Sequence, residues 1–270
     1  MRGASRASLA EARDRLDAAL AGGSDAGQLG DELFSVAVLL DDEPGLRRIL
    51  SDPSRESAAK TGLAEELLAG KISAAALEQT TGLVSGHWSA PGDLADAAEQ
   101  LAVLAITAQA EDAGELDELE DELFRFGRVV DAQPDLRIAL SSPYVAPRGK
   151  QELLDTLLAG KITGPSLRLI SQAAFHPRGR SLEAILAQYA SLAAQRRERL
   201  VAEVHVAADL SAGQRGRLAA ALTAAYGHDV HLNVVVDPQV IGGMSVRIRD
   251  ELIDGTMASR LAELRRRLVA

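Results

Sequence analysis

"DELFRFGRVVDAQPDLRIALSSP", Asp121–Pro143, occurs twice in this chain in recognisable form. Residues 31–53 read "DELFSVAVLLDDEPGLRRILSDP", and 11 of the 23 aligned positions are identical at a constant offset of 90. The same offset carries "LLAGKI" at Leu67–Ile72 onto "LLAGKI" at Leu157–Ile162. Slightly beyond it, "SGHWSAPG" (Ser85–Gly92) meets "AFHPRG" (Ala174–Gly179), with the histidine displaced by one position. Similarity at a fixed period is the mark of a duplicated structural unit.

Each copy reads as helical. Leu116, Leu119, Leu123, Phe126 and Val130 share one stripe of a helix, and Ala26, Leu29, Leu33, Val36 and Leu40 repeat that stripe in the first copy. Pro44 and Pro134 stand where those helices stop, and Pro53 and Pro143 mark a second pair of boundaries. Gly70 and Gly160 follow "LLA" as helix C-caps. Short helices with leucine stripes facing inward make a small antiparallel bundle.

From Val201 the period changes from 3.6 to 2. Ala202, Val204 and Val206 alternate with polar neighbours, as a half-buried strand does. Ser211 with Gln214 three residues on is a capping-box signal for a helix that ends at Gly227. Val230 to Val236 and Met244 to Ile248 form two more alternating runs. Asp254-Gly255 then turns the chain into a last helix with Met257, Leu261, Leu264 and Leu268 on one stripe. The expected fold class is α+β, mostly α. Two tandem bundles, 1–105 and 106–200, precede a β-α-β-β-α domain at 201–270.

Composition narrows the function. The net charge of −10 opposes a phosphate-backbone partner. There are no cysteines, so no disulfide or thiolate site is possible. No signal-peptide core and no apolar run of membrane-spanning length is present. The run "EDAGELDELEDEL" (Glu111–Leu123) holds eight carboxylates, but its leucines keep the helical stripe, which places most of the acids on a solvated face.

Catalytic readings fail one by one. Gly242-Gly243 precedes a strand rather than a helix and lacks a following Lys-Ser/Thr, so it reads as a turn or bulge, not a phosphate cradle. His228 and His231 have no third ligand nearby, and "GMS" at Gly243–Ser245 breaks the nucleophile-elbow pattern at Arg247. No catalytic, cofactor or metal site is expected.

The tail carries a resemblance. Asp237-Pro238, then Ile241-Gly242-Gly243, an alternating strand, Ile253-Asp254-Gly255 and Arg260-Leu261 opening into a helix with Leu264 resemble the C-terminal signature of the delta subunit of rotary ATP synthases, the oligomycin-sensitivity-conferring protein family. The helical stretch from Phe124 to Ile170 is similar to that family's N-terminal domain. A usual member has one bundle, so this chain carries an extra copy. The resemblance implies a non-catalytic stator part of the peripheral stalk. Its bundle would hold N-terminal helices of the alpha subunits, and its tail the end of the membrane-anchored b subunit. One copy per complex would sit peripherally on the cytoplasmic face of a bacterial membrane, with no cofactor. The second copy, which joins directly to the tail, is the expected alpha-binding bundle, and Met1 fits a separate subunit rather than part of a fusion. Two rivals stand beside this reading: a generic helical-repeat adaptor, and a nucleotide- or RNA-handling enzyme built on Gly242-Gly243 and the tail arginines.

Overall fold

The computed structural model describes residues 3–254 other than 143, 199, 209, 227–229, 238–239, 241 and 249–250. The chain divides into two compact units, residues 1–196 and 197–270. The first unit contains α1 (Gly3–Ala21), α2 (Ala26–Asp42), α3 (Pro44–Ser51), α4 (Ser57–Leu68), α5 (Ala74–Ser85) and α6 (Pro91–Asp112). It continues with α7 (Leu116–Ala132), α8 (Pro134–Ser141), α9 (Pro147–Leu158), α10 (Gly164–Phe175) and α11 (Leu182–Glu198).

The matching prolines work in two ways. Each stops the preceding helix, and each then opens the next at its first position, where a missing N–H costs nothing. Gly70 (φ 74°) and Gly160 (φ 70°) adopt the left-handed conformation that closes α4 and α9. Leu119, Leu123, Phe126 and Val130 are buried as the stripe requires, and Leu116 packs partly buried against the same core.

One helix belongs to both copies. α1, α6 and α11 stand one repeat apart, so α6 ends the first bundle and begins the second. Its stretch Leu101–Ala108 is apolar on all sides but for the buried Thr107, and Leu94, Ala97, Leu101 and Leu104 are buried along with Ala95, Ala98, Ala102 and Ile106. A helix that is hydrophobic all round is one enclosed on all faces. The expected boundary at 105/106 falls inside α6, because that helix is common property. A single continuous core runs from Leu9 to Ala193.

The repeat also duplicates a polar clamp. Glu32 on α2 accepts from both the backbone N (3.1 Å) and the Oγ (2.5 Å) of Ser73, the N-cap of α5. Glu122 on α7 does the same for Thr163, the N-cap of α10, with Oε2 at 3.0 Å from its backbone N and 2.9 Å from its Oγ1. At the other end, buried Lys60 donates to the Gly86 carbonyl (3.4 Å) and buried Lys150 to the Ala174 carbonyl (3.2 Å). Each copy thus puts an acid at the N-terminus and a base at the C-terminus of its fifth helix, opposite the ends of the helix dipole. Burial holds both lysine pKa values below the usual range, partly offset at Lys60 by Asp52. Glu122 lies in the acidic run and is structural rather than merely solvated.

The second unit contains β1 (Leu200–Val206), α12 (Ala212–Tyr226), β2 (Val230–Val236), β3 (Met244–Ile248) and β4 (Glu251–Asp254). They form one sheet in the order β2-β1-β3-β4, with β1 and β2 parallel and the other pairs antiparallel. Ser211 and Gln214 form the expected cap, with Ser211 donating from its backbone N (2.9 Å) and Oγ (2.8 Å) to Gln214 Oε1. Ala202, Val204, Val206, Leu222, Val230, Val246 and Ile248 make this unit's own core. The expected tail gains a strand: β4 pairs back on β3 just before the Asp-Gly step, a hairpin too short to leave a period in the sequence. The expected last helix lies outside the described residues.

Candidate docking surfaces around the junction of the copies

α2 is the element through which the first copy grips the second. Gly27 and Gly30 let it approach closely: a Cβ on Gly30 would stand 2.6 Å from Ile106 Cδ1 on α6. One on Gly27 would meet Gln109 on α6 at 2.8 Å and Arg168 on α10 at 2.9 Å. Further along the same side, Asp31 pairs with Arg168 (3.6 Å), and Phe34 sits 6.4 Å, ring to ring, from Tyr189 on α11. Between α2 and α10 lies a groove of about 540 Å³ with Phe34, Val38, Leu167 and Phe175 among its walls and His176 in its lining. Burial lowers the His176 pKa, an effect opposed by the nearby carboxylates of Asp42, Asp41 and Glu99.

A buried ionic knot ties the same junction. Glu99 on α6, with a side chain 3% exposed, accepts from Arg178 Nη1 (2.7 Å), Arg180 Nη2 (2.6 Å) and Tyr189 Oη (2.6 Å). Arg178 also reaches Asp96 (2.9 Å) and Asp41 on α2 (3.4 Å). Its backbone is left-handed (φ 50°), a conformation that persists in a non-glycine residue only where its surroundings hold it. Burial works against the Arg178 charge, but Glu99, Asp96 and Asp41 outweigh it and raise its pKa. Tyr189 is pushed up by burial first and by Glu99 second, so it serves as a neutral donor. The arrangement holds charges fixed. Among the described residues there is no cluster of side chains able to hold a metal ion.

The signature residues of the tail are partly described. The Asp237 backbone N donates to the Val206 carbonyl (2.8 Å), and its Oδ2 lies 4.0 Å from His205 Nδ1. Gly242 (φ 68°) and Gly243 (φ 82°) both take the left-handed backbone that a tight turn into β3 requires. Asp254 ends β4 opposite Ser245. Pro238, Ile241, Gly255, Arg260, Leu261 and Leu264 lie outside the described residues. Sequence reasoning missed Glu99, Arg178, Arg180 and Tyr189, whose partners lie some eighty residues apart. "AFHPRG" did flag the loop that carries Arg178.

No helix among the described residues is long and apolar enough to cross a membrane. The family model for the ATP synthase delta (OSCP) subunit matches residues 103–268, beginning inside α6. The chain is 47% identical over 268 residues to the ATP synthase subunit delta of Thermobifida fusca, covering 99% of both proteins. It is 48% identical over 269 residues to that of Streptomyces avermitilis, covering 99% of this chain and 98% of that protein. With the subunit delta of Acidothermus cellulolyticus it shares 43% identity over 274 residues and the full length of each. These relatives extend across the first copy as well as the second, which leaves the generic-adaptor reading without support. The chain belongs to the ATP synthase delta (OSCP) subunit family, a structural, non-catalytic component of the enzyme's stator.

Proposed function

We propose that this subunit bridges the catalytic head and the membrane-anchored stalk. Residues 1–196 hold N-terminal helices of the alpha subunits, and residues 201–270 hold the end of the b subunit. The protein then lies peripherally on the cytoplasmic face of a bacterial membrane, one copy per complex. It resists torque, so that turning of the central stalk drives ATP synthesis instead of rotating the head. In the tail, Asp237, Pro238, Ile241, Gly242, Gly243, Asp254, Gly255, Arg260, Leu261 and Leu264 shape the surface offered to b.

The observation that supports this reading best is the full-length similarity to subunit delta proteins in a chain built for stiffness. A torque-bearing link needs rigid bodies, and the first unit supplies one continuous core locked by a buried ionic knot. Helical bundles capture amphipathic helices in grooves, and two linked units let modest contacts reinforce each other. The test is reconstitution. Catalytic head and b subunit, each stripped of this protein, should associate stably only when the full-length chain is added. Equal association without it would end the bridging reading.

A further inference from the structure

α1, α6 and α11 hold one place in three successive repeats, and they run parallel. Ser5 Oγ donates to Asp93 (2.7 Å) and Arg13 to Gln100 (3.1 Å) between the first two. Between the second two, Tyr189 and Arg196 donate to Glu99 and Glu111, each at 2.6 Å. Their C-terminal ends therefore gather together. At the offset of 90, Leu16 and Ile106 are followed by Arg196. Leu16 and Ile106 are fully buried, and the arginine side chain is only 16% exposed. A charge standing where apolar side chains pack twice before needs partners. Arg196 has two: Nη1 lies 3.4 Å from Asp17 on α1, which is itself buried, and Nε lies 2.6 Å from Glu111 on α6. Acids near helix C-termini oppose the helix dipole, and a cation in the last turn of α11 offsets both the acids and the dipoles.

α11 is the helix from which the chain passes into the tail, whose first strand begins at Leu200. Terminal turns open at almost no free-energy cost unless something holds them. The first copy holds this helix at three levels. Asp41 of α2 reaches Arg178 just ahead of it (3.4 Å), Phe34 of α2 stands against Tyr189 midway, and Asp17 of α1 takes Arg196 near its end.

We infer that the first copy splints α11, and that Arg196 is the positioning residue that closes the splint where the chain leaves for the tail. The inference rests on the stator reading and gives the first copy a task within it. Load drawn through the tail enters α1 as well as α6, so both copies share it and α11 is not peeled from the second. The planar fork of Arg196 reaches both acids at once, whereas a lysine offers a single point charge.

The test uses the full-length chain in the cognate ATP synthase, reconstituted in vesicles. Arg196→Met keeps the apolar stem and removes the charge, and Asp17→Asn removes only the charge of its partner on α1. In each, amide hydrogen exchange over residues 192–198 should quicken about tenfold, and fewer protons should be pumped per ATP hydrolysed. The double variant should add nothing to Arg196→Met, because the two changes remove one interaction. Arg148→Met on α9 breaks an exposed pair with Glu152 and should alter neither reading. Exchange within about twofold of the unaltered chain in both single variants would overturn the splint, as would quickened exchange with pumping intact. Both results leave the bridge standing. Vesicles that pump equally well without the chain would overturn the bridge itself.

Discussion

The two copies share a skeleton and differ on one face. Leu29, Leu33, Val36 and Leu40 of α2 match Leu119, Leu123, Phe126 and Val130 of α7, and all are buried. The clamps Glu32–Ser73 and Glu122–Thr163 are the same device, as are Lys60 and Lys150. On the outer side the copies part. Phe34 is 5% exposed beneath Tyr189, whereas its counterpart Phe124 is 60% exposed. Gly27 and Gly30, which admit α6, are matched by Asp117 and Glu120. Ile138 of α8 is exposed where the first copy has Arg48. What makes the bundle was kept in both copies. What makes the junction was kept only where a neighbour exists, as expected of the ends of a repeat array.

That contrast can be broken most forcefully at Glu99. Glu99→Ala leaves Arg178 and Arg180 without their shared carboxylate and should cost about 3–5 kcal/mol in urea unfolding. A loss under about 1 kcal/mol would mean apolar packing alone joins the copies. Leu33→Ala and Leu123→Ala should each cost about 2–5 kcal/mol. Both should move a single transition, since one core serves both copies, and two separable transitions would show that the copies melt independently. Gly30→Leu should cost about 1–3 kcal/mol by forcing α2 off Ile106 and the Ala102 carbonyl. The smallest effect is a pH slope. The folded state holds His176 below its ordinary pKa of 6.5, so the unfolded chain takes up the proton first. Stability should therefore fall as pH drops through about 6.5, and His176→Gln should flatten that slope in thermal melts at pH 5 to 7.5.

The skeleton was legible because its signals are periodic or paired within a few residues. The leucine stripes, the prolines at 44 and 134, the glycines at 70 and 160 and the Ser211–Gln214 cap all come through, as do three of the four strands. α6 was not legible as a shared helix. Leu101–Ala108 has no stripe to show which bundle it faces, so its sequence does not mark where one copy ends and the next begins. The ionic knot was hidden for a different reason. Glu99 meets Arg178, Arg180 and Tyr189 across roughly a whole repeat, and nothing local distinguishes a buried glutamate from a solvated one. The clamps fall between these cases: Glu32, Lys60 and Ser73 recur at the offset of 90, but only a reading of polar positions, not apolar ones, brings them out.

The shared helix bears on how such a chain can change length. Loss of one repeat by recombination within matching stretches would splice the front of α1 to the back of α6. The product is a whole helix, because both halves come from equivalent places. Gain of a repeat through α6 and α11 works the same way. No linker has to be invented and no core is opened at a seam. A chain with one bundle and a chain with two would therefore be a single unequal crossover apart, and the family model's first matched residue, 103, lies inside the helix where that crossover would fall.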